Sequence, residues 1–247
     1  GTVTVTGTVG GDAKAGDIVT LTINGATYTG AVTAGLTFAI PVAGADLAAD
    51  PDQTIAASVT TVDAAGNSAS ASTSDSYTVD TATPALAVDI LDASLNIADP
   101  VSQVSFSFTD APVGFTLADI TASGGTVSNL VQVDATHYTA TFTATAGITA
   151  GGSVTVAAGS YTNAAGNPGT GGGDTVAIDT VAPVPTITLA TSVTADDIVN
   201  AAEAAGTVTL TGTVGGDAQP GDIVTLTVNG AGRTGAVTAG LTFAIPV

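Results

Sequence analysis

The side chains that could do chemistry in this sequence are almost all aspartates. The 247 residues include 20 Asp and one Glu against Lys14 and Arg233, and the formal net charge is −19. Asp is short, suits turns and is a common loop ligand of Ca²⁺, which takes roughly six to eight oxygen atoms in flexible geometry. Carboxylates that lie close together repel one another, and two basic side chains cannot neutralise them, which favours a bound divalent cation.

Two simpler interpretations of the same residues stay open. A strongly acidic surface can be an ordinary solvated face, and Asp and Asn also form turns and caps without any metal. The excess of acid excludes a nucleic-acid binder that relies on phosphate contacts, and it argues against binding to an anionic membrane surface. The sequence contains no Cys, so no disulfide supports the fold, and bound metal is the obvious alternative restraint.

An internal repeat organises the chain. Residues 1–42 match residues 206–247 at an offset of 205 with only six differences, which indicates duplication of a whole module. The segment Ser76–Pro84, SYTVDTATP, returns as Thr175–Pro183, TVAIDTVAP. In each copy a strand runs into Asp and then Pro, as expected for a stiff joint. We therefore predict three modules: type X at residues 1–80, type Y at 84–179, and a second X at 183–247.

Both X modules are predicted to be partial. The first lacks a counterpart of Thr186–Ala205, which contains the first strand, and the last lacks a counterpart of Ala43–Asp80, which contains the last strands. The chain also begins inside a strand pattern with no signal peptide, so we expect a fragment of a longer protein. We expect the last X module to be stable only if strands from another chain complete it.

The strand pattern predicts an all-β protein. Val, Thr, Ala and Gly dominate the sequence, and splicing the two X copies gives seven strands about ten residues apart. Asn24–Thr27 carries the Asn-Gly signal of a tight hairpin. The Y module also gives seven strands, near Ala85–Leu91, Val101–Thr109, Phe115–Ala122, Thr126–Val133, His137–Ala144, Ser153–Ala158 and Thr175–Ile178. We predict tandem seven-stranded β-sandwiches with up-and-down connectivity, partial at both chain ends.

Strand counting places candidate Ca²⁺ ligands at the joints, because loops alternate between the two ends of a sandwich and consecutive modules meet end to end. At the first joint the candidates are Asp80, Asp110 and Asn163, with Asp46, Asp50 and Asp52 of the first X module. At the second joint they are Asp92, Asn96, Asp99, Asp179, Asp217 and Asp222. The Asp-x₃-Asn-x₂-acid spacing of Asp92, Asn96 and Asp99 returns in Asp196, Asn200 and Glu203; Asp63 and Asp197 complete the set.

Two module sequences resemble a known family. GTVTVTGTVGGDAKAGDIVTLTINGATYTG with TTVDAAGN resembles the bacterial Ig-like repeats of very large RTX and biofilm-associated adhesins, and FSFTDAPVGFTLADITASGGTVSNL with YTNAAGNPGTG resembles a second Ig-like type from such proteins. The resemblance implies extracellular modules on a bacterial cell surface, stiffened by Ca²⁺ between neighbouring modules. They would project a distal domain, absent here, that binds a host or surface ligand. Asn163 stands where related loops often carry Asp.

Other functions have weaker support. His137 is the only histidine, and THYTATF places it at a strand end with no nucleophile elbow beside it, so we predict no enzyme. Phe106, Phe108 and Phe142 alternate with polar residues, as core positions do. One alternative is an Ig-like module that itself binds a carbohydrate or protein ligand; another is an accessory domain of a secreted glycosidase. No apolar run is long enough for membrane insertion.

Overall fold

The computed structural model describes all residues, 1–247, and it consists of β-strands with two short helices. The buried apolar side chains form three separate clusters, one within each predicted module. Each module therefore builds its own core from its own strands. No helix in the structure has the length and apolar character needed to cross a membrane.

The first X module contains six strands and one short helix. They are β1 (Thr2–Thr8), β2 (Ile18–Ile23), β3 (Ala26–Ala31), β4 (Thr37–Ala43), α1 (Gly44–Ala49), β5 (Thr54–Val62) and β6 (Ser68–Ser76). One sheet has the order β1-β4 and the other β3-β2-β5-β6, with antiparallel pairing throughout. Strand alternation in β2 sends Val19, Leu21 and Ile23 into the core.

The Y module contains eight strands. They are β7 (Leu86–Ile90), β8 (Ser94–Asn96), β9 (Val101–Phe108), β10 (Ile120–Ser123), β11 (Gly125–Gln132), β12 (His137–Ala144), β13 (Thr149–Val156) and β14 (Gly172–Asp179), and a 3₁₀ turn covers Leu117–Asp119. The two sheets have the orders β11-β12-β9-β7 and β10-β13-β14-β8. The short strand β8, absent from the prediction, pairs in parallel with β14.

The last X module contains five strands and a one-turn helix. They are β15 (Pro185–Leu189), α2 (Ala201–Ala204), β16 (Thr209–Gly216), β17 (Ile223–Val228), β18 (Ala231–Ala236) and β19 (Thr242–Pro246). Its sheets have the orders β15-β16-β19 and β17-β18. Together the two X modules supply all seven strands that the spliced sequence predicted.

The predicted up-and-down connectivity is wrong. In Y the strand β9, the second of the seven predicted strands, pairs with β12 rather than with its sequence neighbour β10, so the chain crosses between sheets in a Greek-key arrangement. Pairing within each sheet of Y is antiparallel, except that β8 runs parallel to β14. The predicted strand Phe115–Ala122 also begins too early, because a capping box between Thr116 and Asp119 forms a 3₁₀ turn before β10.

The fourth of the seven predicted strands, β3 in the first X module and β11 in Y, distinguishes the two module types. In X the hairpin at Asn24–Gly25 has both residues at positive φ, 48° and 75°, so β3 folds directly back onto β2 in the same sheet. In Y the corresponding turn is Gly124, with φ of +67°, and β11 leaves for the opposite sheet to pair with β12. Two glycine-containing turns therefore give the two modules different sheet orders.

Aromatic residues fill the core of Y, as predicted. Phe106 and Phe142 are fully buried, and Phe115 packs edge-on against Phe108, with ring centroids 5.0 Å apart. The buried Tyr161 joins this cluster and donates its hydroxyl to the Pro84 carbonyl oxygen at 3.2 Å. A residue of the Y core therefore hydrogen-bonds to the linker that connects the first X module to Y.

Candidate metal-binding joints

The first joint is a hydrogen-bonded clasp around Asp80. One carboxylate oxygen of Asp80 accepts from the Ala82 amide at 2.9 Å, and the other accepts from the Asn163 side-chain amide at 2.8 Å. The Asp80 carbonyl oxygen accepts from the Asn167 side-chain amide at 3.0 Å. The loop between β13 and β14 thus holds the linker through its side chains, and Asn167 is a joint residue that the prediction missed.

Asn163 is positioned by a tight turn of its own. The residue is 1% exposed, and its side-chain oxygen accepts from the Ala165 and Asn167 amides at 3.1 and 2.9 Å. This Asx turn leaves only the side-chain NH₂ facing the linker, where it donates to Asp80. In this geometry Asn163 bridges to the linker directly.

Asp63 occupies the same place in the first X module. Its carboxylate accepts from the Ala65 and Asn67 amides at 2.9 and 2.8 Å, which is the same turn, and also from the Asn67 side chain at 2.9 Å. These hydrogen bonds, led by that of the Asn67 side chain, hold the pKa of Asp63 below its ordinary value. The two module types therefore differ at this turn by a carboxylate in X and an amide in Y.

The remaining first-joint candidates make local contacts. Asp110 is exposed and accepts from the adjacent Ala111 amide at 2.8 Å. Asp46 accepts from the Tyr28 hydroxyl, Asp50 from the Tyr77 hydroxyl and Asp52 from the Thr54 amide, all within the first X module. Asp50 is 6% exposed and supports the end of its own sandwich. None of these hydrogen bonds involves Asp80.

At the second joint the structure brings Asp179 and Asn96 side by side. They are paired positions of the parallel strands β14 and β8, and Asp179 also accepts from the Thr149 hydroxyl at 2.9 Å. Asn96 accepts from the Ala98 and Asp99 amides at 2.8 and 3.1 Å, which forms another Asx turn. The carboxylates of Asp92 and Asp99 accept no hydrogen bond from the protein, which leaves their oxygen atoms available to a cation.

The linker at this joint is fixed at both of its ends. The Thr180 hydroxyl, 6% exposed, donates to the Thr145 carbonyl at 2.7 Å and accepts from the Ile148 amide at 3.1 Å. In the last X module one Asp217 oxygen accepts from the Val184 amide at 2.8 Å. Thr180 is a second residue that the prediction missed, although the dipeptide Asp-Thr occurs in both joint sequences, at residues 80–81 and 179–180.

The other candidates of the last X module lie in turns and a cap. Asp222 accepts from the Gln219 amide at 2.8 Å, and Asp196 and Asp197 accept from the Ile198 and Val193 amides. Asn200 and Glu203 form a reciprocal capping box at the start of α2. The shared Asn-x₂-acid spacing thus produces an Asn-capped turn in Y and a helix cap in X.

The structure contains no group of three or more acidic or histidine side chains that could hold a metal ion. Ca²⁺ would have to combine the few free carboxylate oxygens with carbonyl groups and water, a mixture that this ion accepts.

His137 begins β12, as predicted, and its Nδ1 lies 2.9 Å from an oxygen of the exposed Asp134. The Thr136 amide, followed by the His137 side chain, lowers the pKa of Asp134 to about 2.

Sequence and fold together have clear relatives. Residues 80–180 match the family model of a bacterial Ig-like domain. The whole chain is similar to a 1.5-MDa bacterial ice-binding adhesin, with 33% identity over 80% of that solved chain and a TM-score of 0.57. The chain belongs to the bacterial Ig-like adhesins. This membership confirms both the resemblance and the all-β fold class that the sequence predicted.

A second similar solved structure is that of a Ca²⁺-stabilised adhesin that helps an Antarctic bacterium reach out and bind ice. Its identity to this chain is 36% over the whole chain, with a TM-score of 0.67. The chain spans 60% of the length of that structure. Among curated proteins no sequence matches.

Proposed function

We propose that the chain is a structural extender segment of an adhesin secreted to a bacterial cell surface, one of the large RTX or biofilm-associated type. Its Ig-like modules, joined in series to neighbouring modules, project a distal domain that binds a host or surface ligand. The relatives are adhesins that reach out to bind ice or are retained at a host cell surface. The internal repeat at an offset of 205 residues is typical of an array of modules that serves to span a distance.

The observation that carries the proposal is that each linker is short and hydrogen-bonded along its length. Only nine residues separate β6 from β7, and five separate β14 from β15. In the first linker Asp80 and Pro84 are held by Asn163 and Tyr161 of the next module. A linker held in this way resists bending, whereas a flexible tether would let the modules fold back on one another.

Ca²⁺ at the joints is the second part of the proposal. At the second joint Asp179 lies beside Asn96, and Asp92 and Asp99 of the same module carry unpaired carboxylates. The 247-residue chain offers two basic side chains against 21 acidic ones, so the protein cannot neutralise these groups itself. In this proposal the ion takes its carboxylate ligands from among Asp92, Asp99 and Asp179, with Asp217 and Asp222 of the last X module. Carbonyl oxygens and water complete its shell, because no three of these side chains are already grouped.

The first joint would bind the ion through Asp80 and Asp110, with the side-chain oxygen of Asn163 turned toward the linker in place of its NH₂ group. Asp63, Asp196, Asp197, Asn200 and Glu203 lie at equivalent loops, and in this proposal they serve joints to further modules. Their side chains already hold backbone amides, and Ca²⁺ can share a carboxylate that also accepts a hydrogen bond. The similarity to an adhesin described as Ca²⁺-stabilised supports this assignment.

Thermal unfolding with and without Ca²⁺ tests the ion. We expect about 1 mM Ca²⁺ to raise the melting temperature relative to excess chelator, because a ligand bound only by the native state adds about 3 kcal/mol at a hundred times its Kd. The double variant Asp99→Asn/Asp179→Asn should lose most of this difference, whereas Asp89→Asn, an exposed carboxylate on β7, should keep it. Superimposable melts of the unmodified chain would contradict Ca²⁺ binding.

A further inference from the structure

The first and last strands of Y run side by side in the same direction. The short strand β8 pairs in parallel with β14, and Ser94 lies opposite Ala177. Strand β7, which precedes β8, begins at the same end of the module as β14, where the Thr170 amide donates to the Pro84 carbonyl at 2.9 Å. The chain therefore enters Y at one end and leaves it at the other, and each linker continues one of two neighbouring strands.

Tension on the two linkers would slide these strands past each other. Strands that are pulled in opposite directions along their axes strain all the hydrogen bonds between them together, whereas strands peeled apart from one end lose these bonds one at a time. Breaking several bonds in one step raises the barrier to unfolding, and forced unfolding is governed by the unfolding rate. Parallel terminal strands therefore favour a long lifetime under tension.

Contacts between the first and last strands extend along the whole of Y. At one end the Leu86 amide donates to the Thr170 hydroxyl at 3.2 Å, and toward the other end the Ala177 amide donates to the Ala93 carbonyl at 3.2 Å. A Cβ at Gly172 would lie 2.9 Å from the Leu86 carbonyl oxygen, so glycine at this position lets β14 approach β7 closely. Because β7 and β14 belong to different sheets, these contacts also join the two sheets.

Asp174 bridges the same strands between these two ends. Strand alternation places it on the inward face of β14 with the buried Val176 and Ile178, a position where a carboxylate is rare unless it is paired. One of its oxygens accepts from the Ile90 amide at 2.8 Å. The next amide, that of Leu91, donates to β9, so the Ile90 amide faces away from β9. Asp174 thus supplies an acceptor at the end of β7, where the chain leaves one sheet for the other.

We propose that Y is a tension-resisting module whose strands β7, β8 and β14 form a shear clamp, with Asp174 as the positioning residue that holds β7 against β14. The clamp is made of protein groups alone and works without a metal ion. Its use rests on the proposed function, because an extender with a bound tip is pulled between that tip and the cell. The clamp itself is a property of the Y module and can be measured whether or not Ca²⁺ binds at the joints.

The test is single-molecule pulling at constant force in excess chelator, which removes any contribution of Ca²⁺. The sequence contains no Cys, so Thr81→Cys/Val181→Cys places two unique handles in the exposed linkers, and only Y carries tension within the 247-residue chain. The pair Thr81→Cys/Ala135→Cys instead puts both handles at the entry end, from which the strands are peeled apart. We expect Y to survive at least about tenfold longer with the first pair, because several hydrogen bonds must break together.

Variants separate the clamp from general stability. In the linker-to-linker geometry, Asp174→Ala should shorten the lifetime about tenfold, because it removes a charge-assisted hydrogen bond that breaks in the rate-limiting step. Asp174→Asn keeps an uncharged acceptor oxygen and should shorten it only about threefold. The control is Asp119→Ala, which removes an equally half-buried carboxylate that accepts from the Thr116 amide and hydroxyl, outside the terminal strands. It should lower the free energy of unfolding in urea yet change the lifetime less than about twofold.

Equal lifetimes in the two pulling geometries would overturn the clamp. Equal effects of Asp174→Ala and Asp119→Ala on the lifetime would overturn the role of Asp174. If Asp174→Ala does not fold, Asp174→Asn decides: a lifetime shortened only in the linker-to-linker geometry supports the role of Asp174, and equal shortening in both geometries contradicts it. A clamp that persists in chelator, beside thermal melts that Ca²⁺ leaves unchanged, would support this inference while removing Ca²⁺ from the proposed function.

Discussion

The Asn163 side-chain amide donates to the Asp80 carboxylate at 2.8 Å, across 83 positions of the sequence. This contact is one of several that join the linker after the first X module to the Y module, and it uses an amide where the first X module has the carboxylate of Asp63. A linker carboxylate can bond to an amide directly, but two carboxylates at that distance need a cation between them. The identity of this one residue should therefore decide how strongly a joint depends on Ca²⁺.

Asn163→Asp is expected to make the first joint depend on Ca²⁺. The substitution removes the donor and places a second carboxylate against Asp80, so chelator should destabilise the Y module by about 1–3 kcal/mol relative to the unmodified chain. Ca²⁺ should restore most of the loss. The measurement is urea unfolding in Ca²⁺ and in chelator. Asp63→Asn is the matched control, and its free energy of unfolding should be the same in the two solutions. Equal destabilisation of Asn163→Asp in both solutions would contradict the account.

Asp50→Ala should destabilise the first X module by about 1–3 kcal/mol. The Asp50 carboxylate is 6% exposed and accepts from the Tyr77 hydroxyl at 2.9 Å and from the Thr54 amide at 3.2 Å, so its removal leaves buried donors with fewer partners. Hydrogen exchange of β5 and β6 in a urea series measures the change. Asp52→Ala, an exposed neighbour, should stay within about 0.5 kcal/mol. Similar losses for both variants would argue against a structural role specific to Asp50.

Tyr77 should make the first X module lose stability at high pH. Burial, with the neighbouring Asp50 carboxylate, raises the pKa of Tyr77 to about 12 from an ordinary value of 10.0. Between these values the unfolded chain releases the proton and the folded chain keeps it, so the stabilisation is complete below pH 10 and falls as the pH rises toward 12. The pKa values of Tyr28 and Tyr161 are also raised, so absorbance titration of tyrosinate should show a late phase near pH 12 whose amplitude Tyr77→Phe reduces. A Tyr77 titration near pH 10 would contradict this environment.

Gly169→Ala should strongly destabilise the Y module. A Cβ at Gly169 would collide with the ring of the buried Tyr161, which packs against Phe108 and cannot move aside. Overpacking of this kind costs about 1–3 kcal/mol or more, and the ring also holds Pro84. Gly151→Ala on β13 is the control, because nothing lies within 4 Å of its Cβ. Calorimetric melting of both variants compares the two positions, and an unchanged Gly169→Ala melt would contradict the packing.

Local signals in the sequence predicted most of the fold. Alternation placed Phe106, Phe108 and Phe142 in the core, and Asn24–Gly25 marked a hairpin, because these properties depend on adjacent residues. The sheet order of Y depends on which strands meet across the sandwich, so the pairing of β9 with β12 and the parallel strand β8 could not be read from alternation.

The site was harder to predict than the fold for a similar reason. The Asx turns at Asp63, Asn96 and Asn163 are local, and the sequence already allowed turn formation as an alternative to metal binding. The bridge from Asn163 to Asp80 and the position of Asp179 beside Asn96 depend on the folded modules. Spacing alone therefore grouped Asp50 and Asp52 with the joint, although they support their own module.

The most direct test of the central claim is small-angle X-ray scattering of the chain in about 1 mM Ca²⁺ and in excess chelator. If Ca²⁺ stiffens a string of Ig-like modules, the maximum dimension should be longest in Ca²⁺, and chelation should shorten and broaden the distance distribution. Asp89→Asn should respond as the unmodified chain does, and Asp99→Asn/Asp179→Asn should resemble the chelated state in both solutions. Identical distributions with and without Ca²⁺ would contradict an extender stiffened by ions at its joints.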